Sequence, residues 1–109
     1  MAEITTDITL WLPETRTVIH HALGKAAEEA GELTTILARC LIQGVDEKDP
    51  KTWALNMDRL AEELADVEAA MQWLFEVLDL DVEAHNARAD RKLEGFRRWQ
   101  KMLEAHRHG

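Results

Sequence analysis

Apolar positions recur along the chain with helical spacing. From Val18 they run through Ile19, Ala22, Ala26, Leu33, Ile36, Leu37, Cys40 and Leu41, which is the stripe of an amphipathic helix. Pro13 followed by Glu14 suits a first helical turn, and Gly44 suits its end. Gly24 costs about 1 kcal/mol relative to Ala inside a helix, so a break between a short first helix and a longer second one is expected there. Asp49-Pro50 pairs an N-cap acceptor with a proline at the first helical position and predicts the start of the next long helix. Its apolar residues are Trp53, Met57, Leu60, Leu64, Val67, Met71, Leu74 and Leu78, alternating steps of four and three as in a bundle seam. Asp79-Leu80-Asp81 reads as a tight connection in which Asp81 caps a last helix, with Val82, Ala89, Leu93, Phe96 and Leu103 on one stripe. The last four residues, from His106, are expected to fray.

Composition narrows the fold class. The 109 residues include two prolines, five glycines and no tyrosine, with many Ala, Leu and Glu, which favours an all-α fold over any sheet. At 46% hydrophobic the chain has the material for one core, and its length is that of a single domain spanning residues 1–109. So short a chain leaves much of its surface uncovered, and the second helix carries two apolar flanks. Long antiparallel helices completing a four-helix-bundle-like core by homodimerisation are therefore expected.

Thirteen basic residues against 21 acidic ones give a formal charge of -8, which argues against nucleic acid or an anionic lipid surface as partner. Cys40 is the single cysteine, so neither an intrachain disulfide nor a cysteine-based zinc site can form. Glu3 and Asp7 stand where a signal peptide carries basic residues, and no apolar run approaches the roughly 18 residues of a membrane span. A soluble cytoplasmic protein is the expectation. The charge is uneven: residues 1–80 hold sixteen acids and six bases, whereas residues 81–109 hold five acids and seven bases.

The acids carry the candidate chemistry. Glu28, Glu29 and Glu32 on the first long segment, and Glu62, Glu63 and Asp66 on the next, share one spacing. Acids at i and i+3 lie on one side of a helix, where like charges repel by a few tenths of a kcal/mol. At 100° per residue, Glu29 falls about 40° from Leu33, inside the apolar arc, and Glu32 borders it at about 100°. Glu63 and Asp66 lie beside Ala70, Trp73 and Val77 rather than among lysines. Buried carboxylates are costly unless paired or metal-bound, and oxygen donors of this kind suit a hard cation such as Mg²⁺. The bland alternative is that 21 acids produce such pairs by chance, as Asp46/Asp49 and Glu76/Asp79 are read here.

Glu29-Ala-Gly-Glu32 followed by Glu63-Leu-Ala-Asp66 resembles the ExxE and ExxD motifs of the MazG-like all-α nucleoside triphosphate pyrophosphohydrolases. The likeness extends to Glu-Glu-Ala-Gly-Glu-Leu at 28–33, Glu-Glu-Leu-Ala-Asp at 62–66, Asn86, and Lys-Leu-Glu-Gly-Phe-Arg-Arg at 92–98, covering residues 20–100. The thirty residues between Glu32 and Glu63 slightly exceed the family spacing, which places the difference in the inter-helix loop. The resemblance implies Mg²⁺, or Mn²⁺ in its place, held by Glu29, Glu32, Glu63 and Asp66. It further implies hydrolysis of a nucleoside triphosphate to monophosphate and pyrophosphate, as in nucleotide-pool sanitation, by a homodimer or dimer of dimers. Glu29 or Glu32 would activate water.

A triphosphate beside acids needs balancing cations. Lys25, which can equally pair with neighbouring acids, Lys92 and, more weakly, Asn86 are the candidate substrate contacts; Arg88, Arg91, Arg97 and Arg98 are further cations. Trp53 is expected in the core or an interface, Trp73 flanks the carboxylates, and Trp11 lies in the N-terminal arm, either over a neighbour or against a base. His20 and His21 read as surface or structural residues, and no acid stands three residues before a histidine, so the di-iron Glu-x-x-His pattern is absent. Two alternatives remain: a phosphoribosyl-ATP pyrophosphohydrolase, which shares the Glu-Glu-Ala and Glu-x-Ala-Asp stretches, and a catalytically silent helical dimerisation module.

Overall fold

The computed structural model describes residues 10–108 and is all-helical, with no strand among the described residues. Helix α1 spans Thr17–Gln43, α2 Asn56–Val77 and α3 Val82–His108. The chain divides at the Leu78–Asp79 junction: α1 and α2 form one unit and α3 a unit by itself. Glu3 and Asp7, the acids that stand where a signal peptide carries bases, lie outside the described residues. No helix among the described residues is long and apolar enough to cross a membrane.

Helix α1 begins four residues later than Pro13 suggests. The Glu14 carboxylate accepts the Arg16 backbone N–H at 3.2 Å and its guanidinium Nε at 2.6 Å, a local turn that competes with helix before Thr17. The expected break at Gly24 does not occur, because the propensity cost of one glycine is spread over a 27-residue hydrogen-bonded ladder that seats Ala22 in the core. Gly44 ends the helix as predicted, at φ 106°, with its N–H on the Cys40 carbonyl at 2.8 Å.

Helix α2 starts at Asn56, not at Asp49-Pro50. Asp49 does accept a backbone N–H, that of Lys51 at 2.8 Å, but it also receives the Arg39 guanidinium. This holds residues 49–54 in a turn closed by Trp53 N–H to Asp49 O at 2.8 Å and Asp49 N–H to Ala54 O at 2.9 Å. Trp53 takes φ 62°, a left-handed conformation that no α-helix continues through. It is therefore not a core residue of α2. It lies in the connection, 73% exposed, with Lys48 Nζ 5.9 Å from its ring.

Asn56, fully buried, joins the two helices. Its side-chain amide donates to Gln43 Oε1 at 3.1 Å and to the Gly44 carbonyl at 3.0 Å, and its backbone N–H to Glu47 O at 2.9 Å. Asn56→Ala removes both side-chain bonds and strands their acceptors, so a loss of about 2–3 kcal/mol is expected in urea denaturation.

Helices α1 and α2 pack antiparallel, with Lys25 and Trp73 lining one groove and Arg39 and Arg59 another. Among the described residues the buried apolar ones are few: Ala22, Ile36 and Ala70. The α2 stripe separates into two rows. Leu60, Val67, Leu74 and Leu78 are half-buried, whereas Met57, Leu64 and Met71, each seven residues apart, stay exposed. Asp81 caps α3 as predicted, its carboxylate accepting the Ala84 N–H at 3.0 Å. Helix α3 continues through His106 instead of fraying there, and its apolar residues Leu93, Phe96, Trp99, Met102 and Leu103 are exposed.

Candidate metal centre

The two i, i+3 acid pairs meet. Glu29 and Glu32 project from α1, Glu63 and Asp66 from α2, and each offers a carboxylate oxygen within 4.8 Å of all the others. The antiparallel packing explains the meeting, since both pairs sit near mid-helix and each borders an apolar stripe that faces the other helix. Glu63 is 5% exposed and Glu29 half-buried, whereas Glu32 and Asp66 reach solvent.

Two of these oxygens are buried without any hydrogen-bond partner, Glu29 Oε2 and Glu63 Oε2. A buried carboxylate oxygen left unpaired is costly, and beside other carboxylates that cost is relieved by a cation or by a proton shared between Glu63 and Glu32. The one guanidinium at Glu63 is that of Arg59, with Nη2 3.3 Å from Oε1, on the other oxygen of the carboxylate. Burial pushes the Glu63 carboxyl above the usual carboxylate range, and the negative charges of Glu32 and Asp66 push it further, against the opposing pull of Arg59. The donor set is all oxygen, with neither sulfur nor imidazole, which fits a hard divalent cation such as Mg²⁺ better than zinc.

Lys25 is the candidate substrate contact in this unit. It pairs with Glu28 at 3.1 Å, not with Glu29 or Glu32, and lines a groove of about 400 Å³ together with Glu29, Asp66, Ala69, Ala70 and Trp73. Trp73 thus flanks the carboxylates, as its place in the sequence indicates. Asn86 and Lys92 lie exposed on α3, in the other unit. His20 and His21 stand on the surface, edge to face at 6.1 Å, and Trp11 is exposed.

Two cations of this unit, Arg59 and Arg39, are not among the candidates that the sequence supplies. Arg59 precedes Glu63 by one helical turn, a spacing that announces an ion pair. Arg39 and Asp49 form a partly buried pair across the connection, although Asp46/Asp49 looks like an ordinary solvated pair; nothing local marks Arg39 as the partner. Neither protein-family models, curated proteins nor solved structures yield a match to this chain.

Proposed function

We propose that this protein is a Mg²⁺-dependent nucleoside triphosphate pyrophosphohydrolase that cleaves a nucleoside triphosphate, ribo or deoxy, to its monophosphate and pyrophosphate. The observation that carries the reading is the convergence of four carboxylates from two helices, two of which, Glu29 and Glu63, each have a buried oxygen without a hydrogen-bond partner. Glu29, Glu32, Glu63 and Asp66 would hold the cation, or Mn²⁺ in its place; when bound, it supplies Lewis-acid polarisation of a phosphoryl oxygen and charge neutralisation.

The chain's own groups do the rest. Glu29 presents an unpaired carboxylate oxygen, and Glu32, being exposed, is open to solvent. One of them orients the attacking water and takes its proton as the bond between the α- and β-phosphates breaks. Arg59 anchors Glu63 through Oε1, and the other oxygen, Oε2, is buried without a hydrogen-bond partner. Lys25, placed beside Glu29 and Asp66, contributes positive charge to the substrate groove. Asn86 and Lys92 are proposed as phosphate contacts from α3 on the strength of the motif likeness.

The same reading includes homodimerisation into a four-helix-bundle-like core, as a dimer or dimer of dimers, and a cytoplasmic setting to which the single Cys40 is suited. Support for the dimer comes from the exposed row Met57, Leu64 and Met71 and from Leu41 and Ile42 at 88% and 84% exposure, surfaces that water covers at a cost of about 25 cal/mol per Å². Sedimentation at micromolar concentration is expected to show a species heavier than the 12.5 kDa chain; a stable monomer would overturn the dimer. The activity itself is tested by screening pyrophosphate release across nucleoside triphosphates with Mg²⁺ and with EDTA. Release only with Mg²⁺ supports the reading, and no release from any of them refutes it.

A further inference from the structure

Two grooves flank the carboxylates along the α1–α2 pair, and they differ in chemistry. Toward the start of α1 lies the groove with Ala69, Ala70 and Trp73, whose one cation, Lys25, is paired with Glu28. Toward the inter-helix connection lies a smaller one of about 180 Å³, lined by Glu32, Thr35, Ile36, Arg39, Arg59 and Glu63. Its two glutamates belong to the carboxylate cluster, and the Thr35 hydroxyl is committed as a donor to the Gly31 carbonyl at 3.1 Å. Two guanidiniums are the donors that remain.

We infer that the Arg39–Arg59 groove is an anion subsite, and that it holds the terminal phosphates of the nucleotide, the portion released as pyrophosphate. The inference rests on the proposed nucleotide hydrolysis and assigns it a direction along the helix pair. A guanidinium has five N–H donors in a planar fork that matches a phosphoryl group. Arg39 gives one terminal nitrogen to Asp49, which is itself held by the Lys51 N–H, so its side chain is oriented before any ligand arrives. Arg59 is held loosely, at 3.3 Å from Glu63 and 4.0 Å from Glu62, longer than the 2.7–2.9 Å of a tight charge-assisted bond. It therefore has donors to turn toward an anion.

Glu32 and Glu63 make the bare groove repel anions, and a cation among the carboxylates reverses that balance. Pyrophosphate binding is accordingly dependent on Mg²⁺. The opposite groove offers a single cation, Lys25, already paired with Glu28, beside two alanines and an indole.

The test is calorimetric titration of inorganic pyrophosphate into the full chain in excess Mg²⁺, alongside titration of Mg²⁺ alone. Arg59→Gln and Arg39→Gln are each expected to weaken pyrophosphate binding about tenfold or more, the scale of a lost hydrogen bond to a charged group. Because Arg59 also anchors Glu63, the titration of Mg²⁺ alone sets the excess that saturates each variant, so that weaker pyrophosphate binding is read apart from any loss of the metal. Arg39, whose ion pair is with Asp49 rather than with any of the four carboxylates, is the variant least exposed to that loss. Asp49→Asn removes the charge that orients Arg39 but keeps the guanidinium itself and an acceptor for Lys51, and should cost less pyrophosphate affinity than Arg39→Gln does. Unchanged pyrophosphate binding in both arginine variants would overturn the subsite. So would equal losses in Arg39→Gln and Asp49→Asn with Arg59→Gln unaffected, or wild-type protein that binds Mg²⁺ but no pyrophosphate. A wild-type protein that binds no Mg²⁺ is a different failure, and it removes the hydrolase reading as well.

Discussion

Asp66→Asn, and separately Glu32→Gln, is expected to abolish pyrophosphate release while leaving the helix content of the protein intact. Both side chains are exposed, so neither contributes buried packing, and each change removes a negative charge from a cluster in which four carboxylate oxygens lie within 4.8 Å. Relief of that repulsion leaves the metal-free fold as stable as before or slightly more so. The loss falls on cation binding instead. Even a group one shell removed from a metal costs 10- to 100-fold when deleted, so losing a direct oxygen donor should lower kcat/KM by more than about 100-fold. Circular dichroism checks the fold and a pyrophosphate assay the turnover. Near wild-type activity in either variant would remove that residue from the ligand set.

Glu63→Gln should raise the melting temperature in EDTA by a few degrees at neutral pH and diminish the stabilisation that Mg²⁺ confers. The carboxyl of Glu63 titrates above its ordinary value of 4.5 because it is buried beside Glu32 and Asp66. The folded chain therefore binds this proton more tightly than the unfolded chain does. The stability so gained is fully present below 4.5 and is lost as pH rises through the raised folded value, where the buried carboxylate becomes charged. Glutamine does not titrate, so the difference between variant and wild type in EDTA grows across that window and then levels off. Glu14 and Asp49 titrate below their ordinary values, chiefly through hydrogen bonds to Arg16 and to the Lys51 N–H respectively, so their contributions appear above those ordinary values and fall away in acid. They are common to both proteins and cancel in the difference. With Mg²⁺ the order reverses in sense: wild type gains about 2.7 kcal/mol at a hundred times Kd, and the glutamine variant gains less. Identical pH profiles in EDTA would show that the Glu63 charge is not strained by its surroundings.

The amino-acid pattern by itself determined that the chain is helical, where α1 stops at Gly44, where α3 starts under the Asp81 cap, and that the two acid pairs lie beside apolar stripes. These properties are local. A cap, a C-terminal glycine and a 3.6-residue period depend on neighbours within a turn or two, so spacing alone carries them. The partial burial of Glu29 is of the same kind, because the angle between a residue and its own helix's apolar arc follows from helix geometry. The start of α2 was not local. Asp49-Pro50 has the chemistry of a helix start, but the Arg39 guanidinium, ten residues away, draws Asp49 into a turn, and Trp53 in a left-handed conformation delays the helix to Asn56. Tertiary structure alone also decided that Glu63 is the most buried of the four acids, that its Oε2 is left without a partner, and that Arg39 and Arg59 share a groove. Each of those depends on which residues of α1 face which residues of α2, a register set by the packing of two long helices and by the Asn56 tie between their ends.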